Sequence, residues 1–573
     1  MPHDPADPAG TAAASALAGP PLAPTPRRHG PRRDHLDPRG ARFLDPGSAL
    51  RFGGETLQPT AYAGDELLVR PGRDGRMAPE VHAALEQAAG SDHELEVEDV
   101  DARLAGLAGR AGLLDSDDHP LVLRVHLRRP HDDEEPRGAV DAWVVLQRFR
   151  RLLRGRPGAG AVSLMHLLTT GGLDPAPYVP WAITPKPHVA FGIGGNPHVA
   201  FGATPFPHVA FSAGADPFSP MPHVAFSQAT AEYAQPGSGG RMPVTWMGPP
   251  PTRRADADLD GARRPVVAVL DTGTGRHPWL DAVVERAPRC GDLPIGLTDE
   301  ATDVERLGVL SGALTGSLDI EAGHGTFIAG LVHQRCPDAR ILSVRVVQPD
   351  GVIDEYDLLL ALSMLWVRQS LALQERRTED LVDVVSLSLG YYHEQPTDAD
   401  FDPVMRTALR ALARLGVAVV TSAGNDATSR PAYPAAFAPW SPLPDEVPEE
   451  IPLVAVGATN PDGTVALFSN AGPWVRTWRP GAALVSTVPT SFDGGSAPSV
   501  ELVAGGQVRA TIDPDDFRSG FATWSGTSFA APLLAGDVAQ CLNASRRLRQ
   551  DPDEQEDPLD VCWSSLRRAA PQA

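Results

Sequence analysis

Three short segments constrain this chain most, because each sets one chemically competent side chain where the backbone must turn. Val266–Gly273 reads VVAVLDTG, Gly323–Gly330 reads GHGTFIAG and Ser525–Pro532 reads SGTSFAAP. The first is an apolar run rich in β-branched residues, the pattern of a strand covered on both faces. It stops at Asp271, and Thr272-Gly273 turn the chain, so the carboxylate is expected at a strand's carboxyl end. Open α/β sheets gather their sites there. His324 stands between two glycines ahead of small and apolar residues, which predicts a helix beginning at the histidine. In the third segment Gly526 permits a tight turn and Ala530-Ala531 allow close packing. Ser528 would then open a helix, with its hydroxyl and N–H pointing together into a cleft. Taken singly, each residue has an ordinary reading: a turn aspartate, a core histidine, an N-cap serine.

Further segments remove that ambiguity. Val417–Asn425, VAVVTSAGN, is another buried strand ending in a polar turn, and Asp383–Gly390 reads DVVSLSLG. With Tyr433-Pro434-Ala435, Val454–Gly457, Phe468–Asn470 and Pro480-Gly481, these motifs fall in the order of the subtilase family. The second half of the chain thus resembles a subtilisin-like serine peptidase. The resemblance implies an α/β fold: a three-layer catalytic domain with a mostly parallel sheet. It implies that Ser528 attacks a peptide carbonyl, that His324 takes its proton and that Asp271 holds the imidazole, leading through an acyl-enzyme to hydrolysis. It assigns the Asn425 side-chain amide to the oxyanion and the Ser388, Leu389 and Gly390 edge to the substrate backbone. No cofactor is required for this chemistry. Many members bind structural calcium, but no acidic ligand loop stands out here, so calcium and any metal ligand stay unassigned.

Composition bounds the remainder. The 573 residues suffice for a large core plus further units, and a net charge of -22 disfavours nucleic acid and anionic membranes as partners. Cys290, Cys336, Cys541 and Cys562 are widely spaced, without CxxC or zinc spacing. No basic region followed by an apolar core marks an export signal, and no run approaches a membrane span, so a cytoplasmic peptidase acting on protein or peptide is expected.

Four regions are expected. Residues 1–55 are proline-rich, charged and disordered. Residues 56–170 form a small α/β module, with strands at Glu66–Arg70 and Leu121–Leu127 and helices at Ala78–Ala89 and Val140–Leu153. Its position matches that of the family's inhibitory prodomain, so the chain's own N-terminal region is a candidate occupant of the cleft. An unrelated recruitment module is the alternative. Residues 171–255 are a Pro/Gly-rich linker, and 256–573 the peptidase domain. The linker carries PHVAF four times, ending at Phe191, Phe201, Phe211 and Phe226. Each Phe is followed by Gly or Ser, which suits a groove taking a large apolar residue after a small one. These four positions are expected self-cleavage sites, and a duplicated spacer is the bland reading. Insertions at Trp440–Glu450 and Ser486–Gly520, the latter with a hairpin from Ser499–Val503 to Gln507–Ile512, are expected near the active face. A dedicated peptide-maturation protease and a non-catalytic scaffold of the same fold are the alternative functions.

Overall fold

The computed structural model describes residues 40–170 and 240–571, apart from 52–55, 92, 116–118, 130–139, 260, 311–313, 315, 396–402, 444–445 and 549–556. The four PHVAF repeats, with Phe191, Phe201, Phe211 and Phe226, lie outside the described residues.

Seven parallel strands form the central sheet, in spatial order Val475–Pro480, Val454–Thr459, Ala418–Ser422, Val384–Leu387, Val266–Asp271, Arg340–Arg345 and Val284–Glu285. Successive side chains of a strand point to opposite faces. Val267, Val269 and Val420 therefore enter a core lined by Phe327 and Leu331 of the helix His324–Arg335 and by Leu534 and Val538 of the helix Thr527–Leu548. Ala268, Leu270 and Val419 enter the opposite core, against Leu358 and Leu362 of Glu355–Gln374 and Met405 and Leu409 of Pro403–Ala413. Both faces are covered, which is why the strands are apolar throughout instead of alternating. Helix, sheet and helix make the expected three layers.

The amino-terminal module is an antiparallel sheet in the order Val162–Thr169, Ala61–Val69, Leu123–Arg128 and Glu94–Glu98. The helices Pro79–Ala89 and Ala142–Leu152 cover one face. Ala63, Leu68, Met165 and Leu168 on the other face share a core with Ile353 and Tyr356 of the catalytic domain. The catalytic strand Val352–Asp354 extends the module's sheet by pairing with Leu167–Thr169.

Two boundaries differ from the sequence reading. The module includes residues before 56, because Ala41–Phe43 pairs with Ala61–Ala63. Residues 240–255, read as linker, belong to the catalytic domain: Met242–Pro243 pairs with Phe521–Trp524, and Trp246 stacks on Phe521 at 5.7 Å. A strand of two residues and one aromatic contact need no periodicity, so proline density hid them. One insertion is also misplaced. Glu450 pairs with Arg410 and Arg414 and Trp440 packs on Trp474, so Trp440–Glu450 lies at the amino-terminal end of the strands, opposite Asp271. In a parallel sheet the chain must return to that end before the next strand begins. The expected hairpin is present, from Glu501–Ala504 to Gln507–Ala510.

Asp383 fastens the amino-terminal end of the sheet. It accepts the Val266 N–H at 2.8 Å and pairs with Arg263 at 2.6 and 2.7 Å and with Arg546 of the serine-bearing helix. Burial alone would raise its pKa, but the two guanidinium groups hold the carboxyl far below the usual range. Replacing Asp383 by Ala is expected to cost about 2–4 kcal/mol, since two partly buried arginines lose their partner. The contribution of this depressed carboxyl is present above 3.8, the ordinary Asp value, and is lost as acid protonates it. Urea unfolding near neutral pH measures it, and a loss under about 0.5 kcal/mol would contradict this placement.

Candidate active site

Asp271 ends its strand as expected and is buried. His324 is the first residue of its helix, and Gly323 before it has φ +87°, a backbone that favours glycine. Gly325 is constrained differently, because a Cβ there would overlap the Gly273 carbonyl oxygen. The Asp271 turn and the His324 helix thereby meet closely enough for His324 Nδ1 to lie 2.7 Å from Asp271 Oδ1. That oxygen also accepts the Thr272 N–H at 2.8 Å. A carboxylate can only accept, so the imidazole proton sits on Nδ1 and Nε2 is left as the basic nitrogen. Burial of His324 opposes its charged form, but Asp271 outweighs it and the pKa is raised.

Ser528 is the second residue of its helix and is buried. Its neighbour Phe529 packs on the imidazole with ring centroids 5.1 Å apart, and Trp524 meets the same ring edge-on at 5.7 Å. Phe327 completes this aromatic wall, 4.6 Å from Phe529. The wall carries the serine turn to the histidine and keeps water from the ring. Among the described residues no hydrogen bond joins Ser528 Oγ to His324. Such bonds are often long without substrate and shorten in the reacting complex.

The amide of Asn425 is oriented by the serine turn itself. Its Oδ1 accepts both the Thr527 N–H and the Thr527 hydroxyl at 2.8 Å. With the oxygen so occupied, Nδ2 is the end left to donate, and it lies beside Gly526. Ser388 Oγ donates to the Ser528 carbonyl at 2.8 Å, tying the Ser388–Gly390 edge to the same turn. Gly390 of that edge is already paired. Thr169 N–H donates to Gly390 O at 3.1 Å and Gly390 N–H to Thr169 O at 2.9 Å. The module's last strand thus runs between Val352–Asp354 and Gly390. The sequence reading assigned Gly390 but missed the strand facing it, whose apolar text VSLMHLLT carried the signal.

A buried cluster pins that strand. His166 Nδ1 lies 2.8 Å from Glu355 and Nε2 lies 3.0 Å from Glu394, while Tyr391 stacks on the ring at 4.6 Å. His166, His393 and Glu394 offer ligand atoms within 4.8 Å of one another. Both nitrogens of His166 already serve carboxylates, so the group is built as an ion-pair cluster. The four cysteines are free, and burial raises the thiols of Cys290, Cys336, Cys541 and Cys562. A cavity of about 300 Å³ lined by Arg289, Arg340, Arg368 and Asp380 lies at the other end of the strands, away from Asp271 and His324. Among the described residues no helix is long and apolar enough to cross a membrane.

Residues 262–554, half of the chain, match the model of the subtilase family, and the chain belongs to that family. The major intracellular serine protease of Bacillus subtilis (strain 168) is 27% identical over 288 residues, which are 48% of this chain and 66% of that protein. An intracellular serine protease of Paenibacillus polymyxa is 28% identical over 297 residues, 49% of this chain and 68% of the relative. The chain therefore spans about two thirds of the length of these relatives. Among solved structures, fervidolysin from Fervidobacterium pennivorans, a keratinolytic enzyme related to subtilisin, is 17% identical with TM-score 0.40. That match covers 90% of this chain and 62% of the other.

The His166 cluster yields a pH prediction. Burial would lower its pKa, but Glu355 and Glu394 push it up to about 10. A raised histidine stabilises fully below its unfolded value, 6.5, and the gain is lost as pH rises through about 10. His166→Asn is expected to lower the thermal midpoint at neutral pH and to flatten the wild type's alkaline decline. Superimposable midpoint-versus-pH curves for the two proteins would contradict this.

Proposed function

We propose that this chain is a serine endopeptidase in which Ser528 is the nucleophile, His324 the general base and Asp271 the group that orients and stabilises the imidazolium. The observation that carries it is the 2.7 Å bond from His324 to Asp271, set beside a serine turn that holds Asn425 with its amide nitrogen outward. As Ser528 Oγ attacks a peptide carbonyl, its proton passes to His324 Nε2 and the carbonyl oxygen gains charge. Asn425 Nδ2 and the Ser528 N–H, at the positive end of a helix, stabilise that charge. His324 then protonates the leaving amine, and water, activated by the same imidazole, clears the acyl-enzyme. No step calls for a metal or cofactor.

The substrate is an extended polypeptide. Its backbone would pair with Ser388, Leu389 and Gly390, of which Gly390 already pairs with Thr169 of the module's own strand. In this reading the module acts as a self-occluding, prodomain-like unit, because an outside chain must displace or outlast that strand. The linker beyond Thr170 leads to the PHVAF repeats, and cuts after Phe191, Phe201, Phe211 and Phe226 would separate module from peptidase. The relatives named as intracellular support a cytoplasmic setting. The acidic net charge of -22 supports a protein or peptide partner over nucleic acid or membrane.

Intact mass of the wild type beside Ser528→Ala, followed over hours, tests the reading. The wild type should shorten at the four Phe positions while the variant stays whole. Both remaining whole would remove self-processing, leaving an enzyme that acts only on outside peptides or a scaffold. Asn425→Ala should lower kcat on a peptide substrate about 100- to 1000-fold with KM little changed. An unchanged kcat would remove Asn425 from the oxyanion site.

A further inference from the structure

We propose that Glu305 is a positioning residue for the Asp271–His324 pair, a carboxylate that locks the two turns together from behind; the proposal rests on the triad reading above. Glu305 sits in the short helix Val304–Leu307 and is buried, and its side-chain hydrogen bonds go to Thr272, Gly325 and Thr326. One carboxylate oxygen accepts the Thr272 hydroxyl at 2.5 Å and, at 3.2 Å, shares the Gly325 N–H with the Thr272 oxygen, which accepts it at 2.8 Å. The other accepts the Thr326 hydroxyl, whose oxygen in turn accepts the Gly275 N–H at 2.7 Å. Thr272 follows Asp271 directly, and Gly325-Thr326 follow His324. A single side chain therefore bridges the residues immediately after the base and the residue that orients it.

The Thr272 hydroxyl shows how the bridge bears on the chemistry. It has one proton and two carboxylates in reach, Glu305 at 2.5 Å and Asp271 at 3.2 Å. While Glu305 is ionised it takes that proton, leaving Asp271 Oδ1 to the His324 and Thr272 N–H groups. An ionised Glu305 also adds to the negative field that favours a protonated His324. The other charged groups near Glu305 are accounted for. Asp303 caps its own helix, and Arg345 bonds the carbonyls of Leu297 and Asp299. Arg241 bonds the Asp319 and Ala322 carbonyls, and Glu321 faces His324 from the loop before its helix. Burial pushes the Glu305 carboxyl up to about 7 against its two threonine bonds, with Asp271 and Asp303 adding to the push. The clamp therefore ionises in the range where a histidine base works.

Two experiments on the full chain separate this from a structural role. In Ser528→Ala protein, the His324 imidazole is titrated by NMR with and without Glu305→Gln, which needs no turnover. The neutral isostere should shift the His324 pKa down, because a nearby negative charge is gone. In active protein, Glu305→Gln should lower kcat roughly tenfold with KM within about twofold, and move the acid limb to lower pH. Thr326→Val should act in the same direction, and the double variant should be no worse than the more damaging single one, since both break one bridge. The thermal midpoint of each variant reports folding separately. An unmoved His324 titration, or a kcat loss that only tracks lost folded protein, overturns the proposal for Glu305 and leaves the triad standing. Equal activity of wild type and Ser528→Ala overturns the triad reading itself.

Discussion

A buried carboxylate and a buried imidazole 2.7 Å apart are stable only if everything around them is fixed first. Asp271 cannot move, because it ends a strand whose every residue is buried in one of two cores. His324 cannot move, because its helix begins at a left-handed glycine and packs through Phe327 and Leu331 onto the same sheet. At the crossing a Cβ on Gly325 would overlap the Gly273 carbonyl oxygen, and Gly273 itself holds a φ of +104° that favours glycine, so the two backbones approach closely. Each core side chain of this kind contributes about 1.5–3 kcal/mol of burial. The rigidity needed for the pair is thus supplied by packing that is remote from the chemistry.

The same economy governs the rest of the site. Thr527 donates twice to Asn425, so the amide end facing the cleft is set by the residue preceding Ser528. Ser388 bonds the Ser528 carbonyl, so the Ser388–Gly390 edge and the proposed nucleophile move as one body. The module uses that edge with its own strand and pins it by His166 between Glu355 and Glu394. One surface therefore serves both docking of the module and, in the proposed function, binding of substrate. In that proposed function the two uses would compete.

Much of this was legible in the sequence where local pattern and geometry coincide. The strand into Asp271, the helices starting at His324 and beside Ser528, and the 501–510 hairpin follow from apolar runs, glycines and turn residues. What escaped depends on contacts between distant segments. Residues 240–255 read as linker because two strand residues and Trp246 carry no periodic signal. The module's last strand carried a readable apolar run, VSLMHLLT, but its pairing with Val352–Asp354 and Gly390 joins segments far apart in the chain. Glu305 offered nothing to find: one glutamate among many acids becomes meaningful only when Thr272 and Thr326 are seen to point at it. The Trp440–Glu450 insertion was placed at the wrong end because sequence order does not say at which end of a parallel strand a loop lies.

In the proposed function Asp271, His324 and Ser528 act as one reactive unit. Labelling of the full chain with a fluorophosphonate, mapped by peptide mass spectrometry, tests it most directly. The account predicts a single adduct on Ser528, abolished in Ser528→Ala and slowed by orders of magnitude in Asp271→Asn, where the imidazole loses its orienting carboxylate. No adduct on Ser528, or labelling at the same rate in Asp271→Asn, would contradict it.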